Sequence, residues 1–408
     1  MSTGTPEGVP PPAGLAGVLQ RRSVGRLLVD ALLPRPWAPA QVRLATGADQ
    51  GRALCRAAAR HRVLPWLHSA LSRDADGGRV SPALRAEVAG QVRADVLRVL
   101  ALRAELPLLS AALHASAPWV VLKGPVLPQR VGATVSRSYG DLDLLVSRRD
   151  FPTVVEALEA VGCTVLERNW SLLRQLGPGE LALRTPGGHH VDLHWHLLND
   201  PEGRRAFPVS TEQLLERRTS TLLDGAPVPV LDDVDMSLHV VLHAAKSGAD
   251  HLIWLYDLAA AVERDPDWDQ LVRTARAWQV QLPAAWMLSL TGRLLGLRVP
   301  RGVLSELDPH GVARGSMRAV QVVTPVQTAT GPNLSRLLVR SLRADGRQTG
   351  DAVLRHTRAW AEGRARSRPV GPTAFDPDPQ GDEEGGRRRF FTELLHPRAG
   401  GPLATLVD

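Results

Sequence analysis

Lysine is almost missing from this chain of 408 residues: Lys123 and Lys246 are the only two, although Lys and Arg together number 49. Arginine therefore carries the positive charge, and its excess over 42 acidic residues gives a formal net charge of +7. That charge is scattered, and aromatic residues make up only 4% of the chain, so the basic stripe with interleaved aromatics that marks a nucleic-acid binder is not there. Cys55 and Cys163 are the only cysteines, which excludes a disulfide framework and a cysteine zinc cluster and suits a reducing cytoplasm. No apolar run approaches the roughly 18 residues of a membrane span, and prolines interrupt the N-terminal MSTGTPEGVPPPAG where a signal peptide needs a cationic start. Export and membrane insertion are not expected. What is present, 44% hydrophobic and 22% charged residues, is the composition of a globular protein.

The length admits two domains and a tail, since one domain usually spans roughly 100 to 200 residues. Residues 1–20 are rich in Pro and Gly and are expected to be disordered. Over 21–117 the apolar spacing predicts a helical scaffold; its longest helix opens at Ser81-Pro82, an N-cap followed by proline at the first helical position, and meets a kink or break at Pro107. At Pro118 the texture changes. WVVLKG reads as a short buried strand, with a helix opening near Pro125; GDLDLLVS, CTVLE, ELALRT and HHVDLHWHL read as further strands, and FPTVVEALEAVG as an amphipathic helix. The order predicts an α+β chain with a small mixed-sheet core over 118–210. Residues 211–364 return to helical patterning, and 365–408 are expected to be a low-order tail because they are polar and rich in Pro and Gly.

Alternation along a strand puts Asp141 and Asp143 on one face and Leu142 and Leu144 on the other. Adjacent carboxylates repel unless a cation lies between them, and such an oxygen-rich site suits Mg²⁺ or Mn²⁺ held by one or two carboxylates and substrate phosphates. The plain alternative is a solvated strand end after the Gly140 turn. Upstream, the LKGPV turn leads from a strand into a helix. Gly124 permits close backbone approach there, the helix start favours an anion, and Lys123 and Arg137 are candidates to reach a phosphate or are ordinary surface cations. Asp192 shares a strand face with His190, His194 and His196 and is a candidate third carboxylate, placed to bind a second ion and help deprotonate an attacking hydroxyl. The same alternation also allows a hydrolytic zinc on His190, Asp192 and His194, or merely a polar strand face in water. Neither a Gly-x-Ser-x-Gly elbow nor a Walker-type phosphate loop occurs.

Taken together, LKGPVLPQ, RSYGDLDLLVSRRDF, HHVDLHWHL and LHAAKSGADHLIWLYDLAAAV resemble the bacterial family of uncharacterised nucleotidyltransferases within the polymerase-beta superfamily. The resemblance covers about 118–265. It implies a polymerase-beta-type nucleotidyltransferase core flanked by N-terminal and C-terminal helical regions, with Asp141, Asp143 and Asp192 as metal ligands. It further implies that Lys123, Gly124, Arg137, Gly140 and Lys246 bind the nucleotide, and that His243, Lys246, His251 and Asp257 sit on helices closing the site. The implied reaction moves a nucleoside monophosphate from an NTP such as ATP to an acceptor that the resemblance leaves open, and releases pyrophosphate; the sparse aromatics rank a small-molecule or protein acceptor above RNA. A non-catalytic binding or regulatory module on the same fold is the alternative. One departure stands out: the wider superfamily places Gly-Gly or Gly-Ser before the paired carboxylates, and here Lys123-Gly124 takes that place.

Overall fold

The computed structural model of the protein describes residues 13–33, 48–73, 81–130, 137–263, 265–323, 325–328, 334–365 and 373–405. Four helices come first, α1 (Ala13–Ala31), α2 (Ala48–Arg60), α3 (Leu64–Ser72) and α4 (Pro82–Ser116). Ser81 sits at the N-cap of α4 with proline behind it, as the sequence predicts, and Pro107 lies inside the helix without dividing it. The central elements are β1 (Trp119–Val121), α5 (Leu127–Arg130), β2 (Asp141–Val146), α6 (Phe151–Ala160), β3 (Thr164–Val165), α7 (Trp170–Leu176), β4 (Glu180–Arg184) and β5 (His190–His194). Then follow α8 (Pro201–Ala206), α9 (Thr211–Glu216), β6 (Thr219–Leu223) and β7 (Ala226–Val230). The chain ends in helices: α10 (Asp233–Lys246), α11 (Leu252–Val262), α12 (Trp268–Ala277), α13 (Gln281–Leu295), α14 (Arg301–Leu307), α15 (Val312–Val323), α16 (Leu334–Arg340), α17 (Gly346–Ala365) and α18 (Glu383–Leu395).

The strands form one mixed seven-stranded sheet in the order β3-β4-β5-β2-β1-β7-β6, with helices on both sides. β2 and β5 run parallel at its centre, while β1 with β2 and β4 with β5 are antiparallel. On one face Leu142, Leu144, Leu181, Leu183, Val191 and Leu193 are all buried. Burying each such side chain stabilises the fold by about 1.5–3 kcal/mol. A slip of one residue would drive the carboxylates of β2 into that apolar layer, so the leucines fix the register that places the acids. Among the described residues no helix is long and apolar enough to cross a membrane.

Three expectations are corrected here. The 211–364 segment is not purely helical: β6 and β7 form a hairpin, and β7 pairs in parallel with β1 at Val121 and Val230. Its turn is Asp224-Gly225, both with positive φ (53° and 83°), the Asp-Gly signature of a two-residue hairpin. The 365–408 segment is not a loose tail throughout, because α18 docks on α7 and buries Phe390 and Leu394 beside Trp170. An Asp382 N-cap and an apolar stripe supply the helix that overall polarity hides. Gly177, at φ 58°, ends α7 where a Cβ would lie 2.3 Å from the Pro402 carbonyl, so the C-terminal chain can close over it only because it is glycine. Finally, helix α1 already begins at Ala13, inside the stretch read as disordered; residues 1–12 lie outside the described residues.

Candidate active site

In the parallel pairing of β2 with β5, Asp143 stands opposite Asp192 and Asp141 opposite His190, and across β5 and β4 His194 stands opposite Glu180. One sheet face therefore gathers Asp141, Asp143, Asp192, Glu180 and His194. They form the floor of a cleft of about 420 Å³. Lys123 and Gly124 enter from the turn after β1, with Gly124 at φ 27°, a conformation that disfavours other residues. The roof is α10, whose first turn is capped by the Asp232 side chain accepting the Asp235 N–H. Its residues His239, His243 and Lys246 recur at helical spacing and all line the cleft. Arg62 reaches in from the α2–α3 junction, Trp254 from α11, and Arg336 and Arg340 from α16.

Charge on the floor is unevenly satisfied. Lys123 Nζ donates to Asp143 Oδ1 at 2.9 Å, and His194 Nε2 lies 3.3 Å from the same oxygen. Asp143 Oδ2, equally buried, has no partner. Burial alone would raise the Asp143 pKa, but Lys123 and His194 outweigh it and hold the carboxyl well below its usual range. Asp141 and Asp192 go the other way. Burial, then the neighbouring Asp143, pushes Asp141 up; burial, then Glu180, pushes Asp192 to about 7. His194 is raised above 6.5 because Glu180 and Asp143 together outweigh its burial. Its Nδ1 lies 3.0 Å from Glu180 Oε2 but out of line for a hydrogen bond, so that attraction is ionic. On the roof, burial and then Lys123 lower His239 to about 3 and His243 well below its usual value, so both are neutral.

The placement of the sequence candidates is specific. Asp141, Asp143, Asp192, Lys123, Gly124, Arg137 and Lys246 all line the one cleft, as does His243. Gly140 is exposed, and a Cβ there would meet nothing within 4 Å, so close approach does not require glycine at that position. Arg137 is engaged by Asp257, whose two oxygens accept from its Nε at 2.6 Å and a terminal nitrogen at 2.7 Å; Nη1 is left buried without a partner. Lys246 lies 3.3 Å from Asp200 at the rim. His251 binds its neighbour Asp250 and does not line the cleft. Of the proposed zinc set, His190 is exposed at the strand start while His194 is held between two carboxylates. Among the described residues no three His, Cys, Asp or Glu side chains close around a single point, for zinc or any other ion. Sequence reasoning passed over Glu180, His239, Arg62, Arg336 and Arg340; of these only Glu180 carried a signal, its alternation with Leu181 and Leu183.

The side chains do not converge as a closed ligand set among the described residues, but their chemistry is of the kind a hard cation takes, on two grounds. The buried Asp143 Oδ2 has a free acceptor face, and Asp141 and Asp192, raised by burial and by neighbouring carboxylates, gain most from added positive charge. The donors are all carboxylate oxygens, as magnesium or manganese prefers.

Fold and cleft thus define a mixed α/β protein with a cation-lined cleft over a carboxylate floor. The chain belongs to the family described as uncharacterised nucleotidyltransferase, which matches residues 48–296. That span begins with α2, includes Arg62 and ends at the glycine that caps α13, so it takes in the floor and the α10–α11 roof while leaving out α16. No curated protein and no solved structure matches the chain.

Proposed function

We propose that the protein transfers a nucleoside monophosphate from a nucleoside triphosphate to a small-molecule or protein acceptor, releasing pyrophosphate, on a polymerase-beta-type core in the cytoplasm. The observation that carries this reading is the register of β2 and β5, which sets Asp143 beside Asp192 and Asp141 next to them in a cleft rimmed by cations. Asp141, Asp143 and Asp192 would hold Mg²⁺ or Mn²⁺, which when bound neutralises the floor and the charge on the transferred phosphorus. With the carboxylates that attract it, Asp143 and Asp141, neutralised, Lys123 is free to turn to the triphosphate. The neutral imidazoles of His239 and His243 cover the reacting centre and keep water from it. An RNA acceptor finds less support, since aromatic residues to stack on bases make up only 4% of the chain.

A non-catalytic binding module is the second reading, favoured by one observation: the Lys123–Asp143 ion pair already satisfies half of the key carboxylate without a metal. The two readings separate in one experiment. Thermal stability is measured with each of ATP, GTP, CTP and UTP, with Mg²⁺ or EDTA, alongside pyrophosphate release. A metal-dependent rise in Tm that disappears in Asp141→Ala/Asp143→Ala, with pyrophosphate released by the native chain, supports transfer. Nucleotide binding that is equal in EDTA and in the double variant supports the module.

A further inference from the structure

Six cations line the cleft, and most are already committed to carboxylates. Lys123 is paired with Asp143, Arg137 with Asp257, Lys246 with Asp200 and Arg336 with Asp250. Arg62 is different. Its guanidinium has no carboxylate or carbonyl partner among the described residues and instead lies over the indole of Trp254, 5.6 Å from the ring centroid. Trp254 itself packs edge-on with His243 and His251, with ring centroids at 4.5 and 5.7 Å. Arg62 is exposed, and its charge acts on Asp141 of the floor.

The backbone at Arg62 sharpens the point. It closes α2 with φ 58°, the left-handed position that glycine occupies most cheaply, while the Val63 N–H reaches back to the Ala58 carbonyl at 2.8 Å. Gly248 and Gln279 end helices in the same way, so the cap geometry by itself says nothing about a ligand. At position 62, however, the residue that bears this conformation also delivers a cleft guanidinium that, among the described residues, lies over a ring in place of pairing with an acid. Attraction to the indole face draws the guanidinium to this side of the cleft, and among the described residues no carboxylate or carbonyl takes its donors.

We propose that Arg62 binds the terminal phosphates of the donor nucleotide, the part that leaves as pyrophosphate, and so is a substrate-binding residue contributed by the N-terminal helices. This rests on the nucleotidyltransferase reading of the same cleft. A bidentate guanidinium matches phosphate oxygens, and Asp141 beside it places those oxygens next to the carboxylate floor. The indole platform is already occupied by the guanidinium, which argues for phosphate over a stacked nucleobase as the group Arg62 meets.

The test uses the full chain with Mg²⁺ and two ligands without a base, inorganic tripolyphosphate and inorganic pyrophosphate, beside the four nucleoside triphosphates, by calorimetric titration. Arg62→Gly suits the backbone conformation, so Tm of the free protein stays near the native value. Binding of both inorganic ligands weakens roughly 10- to 100-fold, the loss expected for charge-assisted hydrogen bonds. Arg62→Lys, which keeps the charge and loses the fork, falls between. Binding by Arg62→Gly within twofold of native overturns the proposal and leaves the nucleotidyltransferase reading intact. So does a native protein that binds a nucleoside triphosphate but neither inorganic ligand, which would move Arg62 to the base. If the native chain binds no triphosphate of any kind, both fall together.

Discussion

Floor and wall of the cleft each contain a buried cation–carboxylate pair, and the two are built differently. In the wall, Arg137 and Asp257 meet through two parallel hydrogen bonds, and both carboxylate oxygens are used. On the floor, Lys123 and His194 crowd one oxygen of Asp143 and leave the other without a partner. A bidentate pair closed on both sides is a joint: it ties the segment before β2 to helix α11. A pair with a spare, buried acceptor leaves one carboxylate oxygen unmatched. Burial is similar in the two, so the number of satisfied oxygens, and not depth, separates them.

The largest effect should come from breaking the joint. Arg137→Ala leaves Asp257 charged and buried without compensation, a change that costs about 3–5 kcal/mol in comparable pairs. Chemical denaturation of Arg137→Ala and Asp257→Ala should show that loss in each. The double variant should be less harmed than the sum of the two, since it strands no charge. Additive losses would mean that the pair is not coupled and that the comparison with the floor has no basis.

Next comes the floor. Asp143→Ala should reduce pyrophosphate release by a factor on the order of 10²–10³, the scale on which a charge-stabilising group acts in a transition state. Its stability loss should be smaller than that of Arg137→Ala, because Lys123 has Asp141 as a second carboxylate within electrostatic reach. Full retention of pyrophosphate release would remove Asp143 from the chemistry and make the floor pair a joint like the other.

Those two pairs also show how far the sequence could be read. The parity of Asp141 and Asp143 was legible because side chains alternate along any strand. That Asp192 joins them depends on β5 lying next to β2, a neighbour relation that crosses two intervening strands in the chain and is set by packing of the whole sheet. Arg137 was legible as a cation near the site, whereas its engagement by Asp257 required knowing how α11 folds back. Arg62 had no local mark, for an arginine among 49 basic residues looks like any other until Trp254 is brought beneath it. The hairpin of β6 and β7 did carry its Asp-Gly turn, but the helical texture on either side masked it. In α18 the polar average concealed a stripe of Phe390, Phe391 and Leu394 that packs against α7.

A third connection between the regions is titratable. His61, at the end of α2, accepts the Leu252 N–H on its Nδ1 at 3.3 Å, which joins the N-terminal helices to the start of α11. Burial, and then the neighbouring His251, lowers its pKa to about 4 from the usual 6.5. The folded chain therefore binds fewer protons than the unfolded one between those values. Its contribution is whole above pH 6.5 and is lost as the pH falls through 4, with a slope of at most about 1.4 kcal/mol per pH unit. Denaturant midpoints measured across that window should fall with acid in the native protein and fall less steeply in His61→Asn. Parallel pH profiles would show that the joint does not pass through this imidazole.

The smallest effect is expected at the rim, where Lys246 and Asp200 are 34% and 45% exposed. Water already solvates both partners, so the pair contributes at most about 1 kcal/mol, and Lys246→Ala should barely move the Tm of the free protein. Asp200 keeps a role without it, since its other oxygen accepts the Gly203 N–H and caps α8. The weakness of this pair is what leaves Lys246 available: its ammonium can leave Asp200 for a phosphate at little cost, whereas Arg137 cannot leave Asp257. Lys246→Ala should accordingly lower the nucleotide-induced rise in Tm while sparing the free protein. A free-protein loss as large as that of Arg137→Ala would show that exposure does not grade these pairs, and that the rim is a joint as well.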